Sequence, residues 1–218
     1  WNLETNEVFF SKQWKAMLGY EENEIGNNLE ERNKRIHPND KEKFYFEINK
    51  HLEGKTEYYQ AEYRLVTKNG AYKWCLDRGK IFEHNKNGKP TRMIGTHTDI
   101  SSIKESEEKF STVFNISNNL MAINLIDDNK LIDVNNKFLE TLGFTKDEVI
   151  GKTTIELGIW LDPNERKKAI EILESTGKLN NYEVKIKTKN GELKFGLFSA
   201  QFMMIKNKKI LFSEMRDV

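Results

Sequence analysis

Apolar positions along this chain change period in a fixed order, and the order occurs twice. Residues 57–67 and 71–82 alternate apolar and polar side chains on either side of Lys68-Asn69-Gly70, which predicts two strands joined by a hairpin turn. A second turn at Asn85-Lys86-Asn87-Gly88 leads into a strand over 91–100. Upstream, the turn signal Glu4-Thr5-Asn6-Glu7 precedes a short strand at 8–10. Trp14, Met17 and Leu18 then take helical spacing and stop at Gly19. Phe44, Ile48 and Leu52 mark one face of a longer helix, capped by Asn39 or Asp40 and ended by Gly54.

The second half repeats this order: a hairpin over 120–126 and 130–134, a short helix over 138–143, and a longer helix over 163–177 capped by Asp162. A hairpin over 182–188 and 193–204 and a last strand over 209–218 complete it. Leu18-Gly19-Tyr20 answers Leu142-Gly143-Phe144 at an offset of 124, and Thr67-Lys68-Asn69-Gly70 answers Thr188-Lys189-Asn190-Gly191 at 121. Asp99-Ile100 answers Asp217-Val218 at 118, so the copies are collinear and the second has shorter loops. The pattern predicts a tandem of two α+β domains, each a mostly antiparallel sheet with helices on one side.

Between the copies, residues 98–114 read as a helix. Asp99 and Ser102 are N-cap residue types, and Ser102 to Glu105 has capping-box spacing. Ile103 and Phe110 stand seven apart, as do Ile100, Glu107 and Phe114, which gives a narrow apolar stripe. Such a helix is either a plain linker or the element that carries a conformational change from one half to the other.

A length of 218 residues suits two domains of ordinary size, and 11% aromatic residues suffice for two small cores. Thirty-five basic residues against thirty-four acidic ones leave a net charge of +1, so no overall field favours nucleic acid or an anionic membrane. Cys75 is the only cysteine, which excludes an intrachain disulfide and a cysteine-rich zinc site and fits a reducing, cytoplasmic setting. No apolar run has the length of a membrane span, and no signal peptide opens the chain. The start at Trp1 and the stop at Asp217-Val218 are read as those of an excerpt, its first strand truncated and its output helix beyond the last residue.

The ordered motifs resemble the PAS family with its C-terminal PAC segment. In the first copy these are Trp14 to Leu18-Gly19-Tyr20, Glu24-Ile25-Gly26, His37-Pro38-x-Asp40, Glu62-Tyr63-Arg64, Asn69-Gly70-x-Tyr72-x-Trp74 and Gly95-x-x-x-Asp99-Ile100-Ser101. In the second they are Asn135-x-x-Phe138, Leu142-Gly143-Phe144, Glu148-x-Ile150-Gly151, Gly158-Ile159-Trp160, Asn190-Gly191 and Asp217-Val218. The resemblance implies two domains over 1–100 and 116–218 joined by a signalling helix over 101–115. Each would be a five-stranded antiparallel sheet flanked by short helices, with a cavity between sheet and helices. It implies a module that senses a small molecule or dimerises within a multidomain signalling protein, most like a prokaryotic sensor histidine kinase. A homodimer and a covalently linked output domain are the expected partners.

Strand alternation nominates pocket positions. In the first copy Tyr63, Trp74 and Leu76 would face Phe44 and Ile48; in the second Val184 and Phe195 would face Ile170, with Trp160 and Met121 at the rim. The same stripes equally describe filled cores. Asp99, Ile103, Phe110 and Asp217 are the relay candidates. His51, seven after Phe44, stands where the resemblance places the iron ligand of haem-binding relatives, against the plainer reading of a histidine at a helix C-terminus. Cys75 lacks the Asn-Cys-Arg setting of the flavin-adduct relatives, which leaves non-covalent flavin stacking on Trp74 or Trp160. No metal cluster and no catalytic motif occurs, so no chemistry is expected of these residues themselves. The alternative to a ligand sensor is a ligand-free dimerisation scaffold, or a haem- or flavin-binding redox sensor.

Overall fold

The computed structural model describes residues 1–205 and 207–218 and divides into two compact units, Trp1–Glu108 and Lys109–Val218. The boundary falls inside a single helix. Each unit has its own antiparallel sheet and its own apolar core.

The first unit opens with α1 (Lys12–Met17), α2 (Leu29–Asn33) and a 3₁₀ turn, Pro38–Asp40, that leads directly into α3 (Lys41–Leu52). Ser11 caps α1 by accepting from the Trp14 N–H, and Leu18 and Gly19 end it, Gly19 at φ +83°. Strands β1 (Tyr59–Val66), β2 (Tyr72–His84) and β3 (Pro90–Asp99) form an antiparallel meander in that order. Phe44 and Ile48 of α3 pack on Tyr59, Ala61, Tyr63 and Leu65 of β1, with the Phe44 and Tyr63 rings 4.8 Å apart edge to face.

Helix α4 (Ser101–Ile116) leads into the second unit. There β4 (Leu120–Leu125) and β5 (Leu131–Val134) are followed by α5 (Asn136–Leu142), α6 (Lys146–Val149) and α7 (Pro163–Thr176). Strands β6 (Lys178–Lys187), β7 (Leu193–Ile205) and β8 (Lys208–Asp217) close the sheet in the order β5-β4-β8-β7-β6. Short helices on antiparallel sheets give the expected α+β class. The sequence missed α2 and α6, which have one turn or little more and no apolar periodicity to announce them.

The repeat seen in the letters is repeated in the contacts. The N–H of Lys68 donates to the Leu18 carbonyl and that of Lys189 to the Leu142 carbonyl, each at 2.9 Å. Lys68 pairs with Glu24, and Lys189 with Glu148 at 2.6 Å. Val66 donates to Arg35 and Lys187 to Ile159, again at matching positions.

The copies differ at their first strands. The second sheet has five strands and the first has three. The residues expected to form a strand at 8–10 carry no ladder; Val8 and Phe10 are buried in the core, and single bridges join Glu7 to Asn28 and Asn2 to Arg92. Asn2 lies at the β3 edge as the end of β4 lies at the edge of β8. Beyond it, a cleft of about 520 Å³ follows β3 from Met93 to His97, where β4 runs in the second sheet. This cleft therefore has the position of a strand.

Candidate functional site: a helix latched at both ends

Helix α4 is held at its start by the first sheet. The Ile100 N–H donates to the Trp74 carbonyl at 2.9 Å, and the Trp74 N–H donates back to Ser101 Oγ at 3.0 Å. Asp99 Oδ1 accepts from the Ser101 N–H at 3.0 Å, and its Oδ2 takes Lys73 Nζ at 2.7 Å. Burial alone would raise the Asp99 pKa, but the lysine and the Ser101 donors outweigh it and hold the carboxyl below its ordinary value. The helix thus begins at Ser101, capped by Asp99. The expected Ser102–Glu105 box does not form, because Ser102 is already in the first turn.

The outer face of the sheet completes this latch. Lys104 Nζ reaches Glu62 at 2.8 Å and stands 5.5 Å from the Trp74 ring centroid, which Arg64 approaches at 5.1 Å. Arg64 in turn holds Asp40 with Nε and Nη2 at 2.9 and 2.7 Å, and its backbone N–H donates to the same carboxylate at 2.9 Å. Asp40, one of the two cap candidates the sequence offered, stands at the N-cap position of α3 but makes no side-chain cap there, its carboxylate being turned to Arg64. A chain of contacts therefore leads from the start of α3 through Asp40, Arg64, Trp74 and Lys104 to α4.

The Arg64 guanidinium, chiefly through its hydrogen bond, holds the Asp40 carboxyl below the usual aspartate range. A depressed folded-state pKa means stability that is present above the unfolded value of about 3.9 and is lost as pH falls through the folded value. Asp40→Asn is expected to cost roughly 1–2 kcal/mol at neutral pH and progressively less on acidification below about pH 4. Denaturant titrations of both proteins at several pH values check this.

The other end of α4 is held by Asn135, fully buried. Its Oδ1 accepts from the Met121 and Phe138 N–H groups at 2.9 and 3.0 Å. Its Nδ2 donates to the Phe114 carbonyl at 3.0 Å and the Asn119 carbonyl at 2.9 Å. One amide therefore ties the last turn of α4, the start of β4 and the N-cap of α5. Asn115 adds a bond from the Asn136 N–H at 3.2 Å. Of the α4 stripe, Ile100 and Phe114 are buried, whereas the relay candidates Ile103 and Phe110 are 56% and 53% exposed.

The nominated pocket residues separate by strand phase. Phe44, Ile48 and Tyr63 lie in a filled core, where the Tyr63 hydroxyl donates to buried Asp77 at 2.9 Å beside His97. Trp74 and Leu76 correct the reading: they pair with Arg64 and Glu62 and lie on the outer face, while Cys75 and Asp77 point inward. A shift of one residue moves a strand's whole set of side chains to the other face. The same correction applies to Phe195, which is 51% exposed with Lys185 Nζ 4.7 Å from its ring centre, and to Met121, which alternates with the buried Leu120 and Ala122.

Trp160, Ile170 and Val184 do line cavities in the second domain, two small adjoining spaces of about 60 and 50 Å³. Phe198, Thr154 and Ser213 line them too and were not foreseen. Asp217 is exposed and joins no ion pair among the described residues; Lys194, the counterpart of Lys73, pairs with Glu192 instead. The exit is nonetheless repeated, since the Val218 N–H donates to the Phe195 carbonyl as Ile100 does to Trp74.

His51 does not fit an iron ligand. Its Nδ1 lies 2.9 Å from the Thr56 carbonyl and its Nε2 accepts from the Ile81 N–H at 3.2 Å, so neither nitrogen is free. Cys75 is buried, and burial pushes its thiol pKa up. No cluster of metal-ligating side chains occurs among the described residues. No helix among them is long and apolar enough to cross a membrane.

Comparison with known proteins agrees with this architecture. Residues 7–97 match a family described as PAS fold, and residues 118–218 match one described as PAS domain. A stretch of 74 residues is 36% identical to hybrid signal transduction histidine kinase A of Dictyostelium discoideum and covers 33% of this chain and 3% of that protein. Another of 73 residues is 33% identical to the methyl sulfide methyltransferase-associated sensor of Methanosarcina acetivorans, covering 34% of this chain and 7% of the relative. A crystal structure of a sensory box histidine kinase/response regulator from Burkholderia thailandensis aligns at a TM-score of 0.46 and 30% identity, over 52% of this chain and 82% of that one. The two relatives are a signal transduction histidine kinase and a sensor, and the matched domains support a general signal-sensing role. The chain belongs to the PAS family, as two such domains in tandem.

Proposed function

We propose that these residues are the sensing and relay portion of a larger signalling protein, with α4 as the relay and an output domain of the histidine-kinase kind downstream. The observation that carries this reading is the double latch: the Glu62 side chain and the Trp74 backbone hold the first turn of α4, and Asn135 of the second domain holds its last. A state change that moves the first sheet alters the Glu62–Lys104 and Trp74 contacts, and the helix delivers the change to Asn135. The bond from Val218 to Phe195 repeats the backbone part of the first domain's exit in the second domain, without the lysine–aspartate pair. A ligand biases such a system only through its differential affinity for the two states.

Reversing one latch charge tests the reading. Lys104→Glu sets two carboxylates against each other beside an aromatic face. In the protein that carries this segment, it is expected to change ATP-dependent autophosphorylation several-fold with little change in the melting of either domain. Unchanged output with an intact fold overturns the relay.

A dimerisation role has its own observation. Ile103, Phe110, Val113 and Ile116 of α4 are all more than half exposed, the kind of stripe a second helix covers. Phe110→Ser is expected to lower the mass measured by sedimentation if this stripe joins two copies; an unchanged mass removes it from any interface.

A further inference from the structure

The second domain holds a cation with no counter-charge among the described residues. Arg166 stands on the inner stripe of α7 with Ala169, Ile170 and Leu173 and is partly buried at the wall of the roughly 60 Å³ cavity. Its side chain makes no hydrogen bond and no ion pair within the described residues. Loss of water around it lowers its pKa, and no carboxylate acts in the other direction. A half-buried guanidinium without a partner presents its fork of N–H donors at the cavity wall, the geometry that matches a carboxylate.

The rest of the cavity describes that anion. Asn124 and Ser213, both buried, place polar groups on the sheet side, with Thr154 nearby. Trp160, Phe198 and Leu211 make the remainder apolar. At roughly 10–15 Å³ of such space per water, the cavity holds on the order of four to six heavy atoms. Inorganic phosphate would leave the aromatic wall unused, and a sugar or nucleotide is too large. From these features we infer that the second domain binds a short-chain monocarboxylate of about three or four carbons, its carboxylate on Arg166 and its alkyl end against Trp160 and Phe198. This rests on the sensory reading and names the ligand class of its cavity.

Titration calorimetry of the 218-residue chain with sodium propionate and butyrate tests it, with propionamide, sodium phosphate and sodium chloride at matched ionic strength as comparisons. Saturable binding of the two carboxylates is expected, with propionamide and phosphate at least tenfold weaker and a concurrent shift of the Trp160 indole N–H resonance. Arg166→Gln removes an unpaired cation, so it is expected to fold at least as stably and to bind propionate at least tenfold more weakly. Propionate binding that survives Arg166→Gln, equal binding of phosphate, or no saturable carboxylate signal overturns the inference. Each of those results leaves the Lys104→Glu experiment unaffected, so the relay and the ligand class fail separately.

Discussion

Asn135→Ala is expected to melt the second domain on the order of 15 °C below the wild type while the first domain's transition stays in place. The substitution removes an acceptor from two backbone N–H groups and a donor from two carbonyls, in a site closed to water. An unsatisfied buried group costs about 1–3 kcal/mol, and partial relaxation brings the total to about 3–5 kcal/mol. Differential scanning calorimetry with exchange measurements to assign each transition reads the result. Asn135→Asp separates geometry from volume: it keeps both acceptor roles, loses both donor roles and buries a charge, so it is expected to be no better than alanine. A shift below roughly 3 °C for either variant means the four groups find other partners.

Phe44→Ala is expected to do the converse. The ring is 1% exposed and meets Tyr59, Tyr63 and Tyr45 edge to face, with the Arg32 guanidinium 4.8 Å from its centre. Removing it leaves a cavity between α3 and β1 and withdraws the aromatic face from a buried arginine. Phe-to-Ala changes in cores cost about 3–5 kcal/mol, and this site has little means of collapse because Tyr59 and Tyr63 are ring systems fixed by the sheet. The first domain is expected to lose its cooperative transition or melt well below the second, which stays unchanged. If both domains shift together, they do not fold as the separate units their cores describe.

Element order, the repeat and the pairing of hairpins were legible because they rest on local signals: Asn-Gly turns, helix-ending glycines, and periods that change at turns. The inward or outward phase of β2 and β7 was less legible. Trp74 and Phe195 are large and apolar, and hydrophobicity alone places them inside. The ladder instead aligns Tyr63 with Cys75 and Val184 with Gly196, which leaves the aromatic residues outside under Arg64 and Lys185. A cation between two inward apolar residues of the partner strand, Arg64 between Tyr63 and Leu65 and Lys185 between Val184 and Ile186, could have signalled this.

Asn135 was noted as part of a motif, but its fourfold bonding depends on the helix end and strand start that the fold brings to it. Arg166 stood in the run Arg166-Lys167-Lys168, where charge distinguishes nothing. Only its phase with Ala169, Ile170 and Leu173 separates the inward cation from two solvated ones. Asp40 shows the opposite case: its place at a helix start was legible, but the partner that claims its carboxylate lies 24 residues away on a strand.

The central claim is that α4 couples the first sheet to Asn135. Amide hydrogen exchange in wild type and Trp74→Ala tests it most directly, because Trp74 touches α4 and lies in the first domain only. The expected result is faster exchange in the first turns of α4 together with a changed rate at the Met121 and Phe138 amides, both bonded to Asn135. Faster exchange confined to the start of the helix, with those two amides unchanged, would contradict the relay.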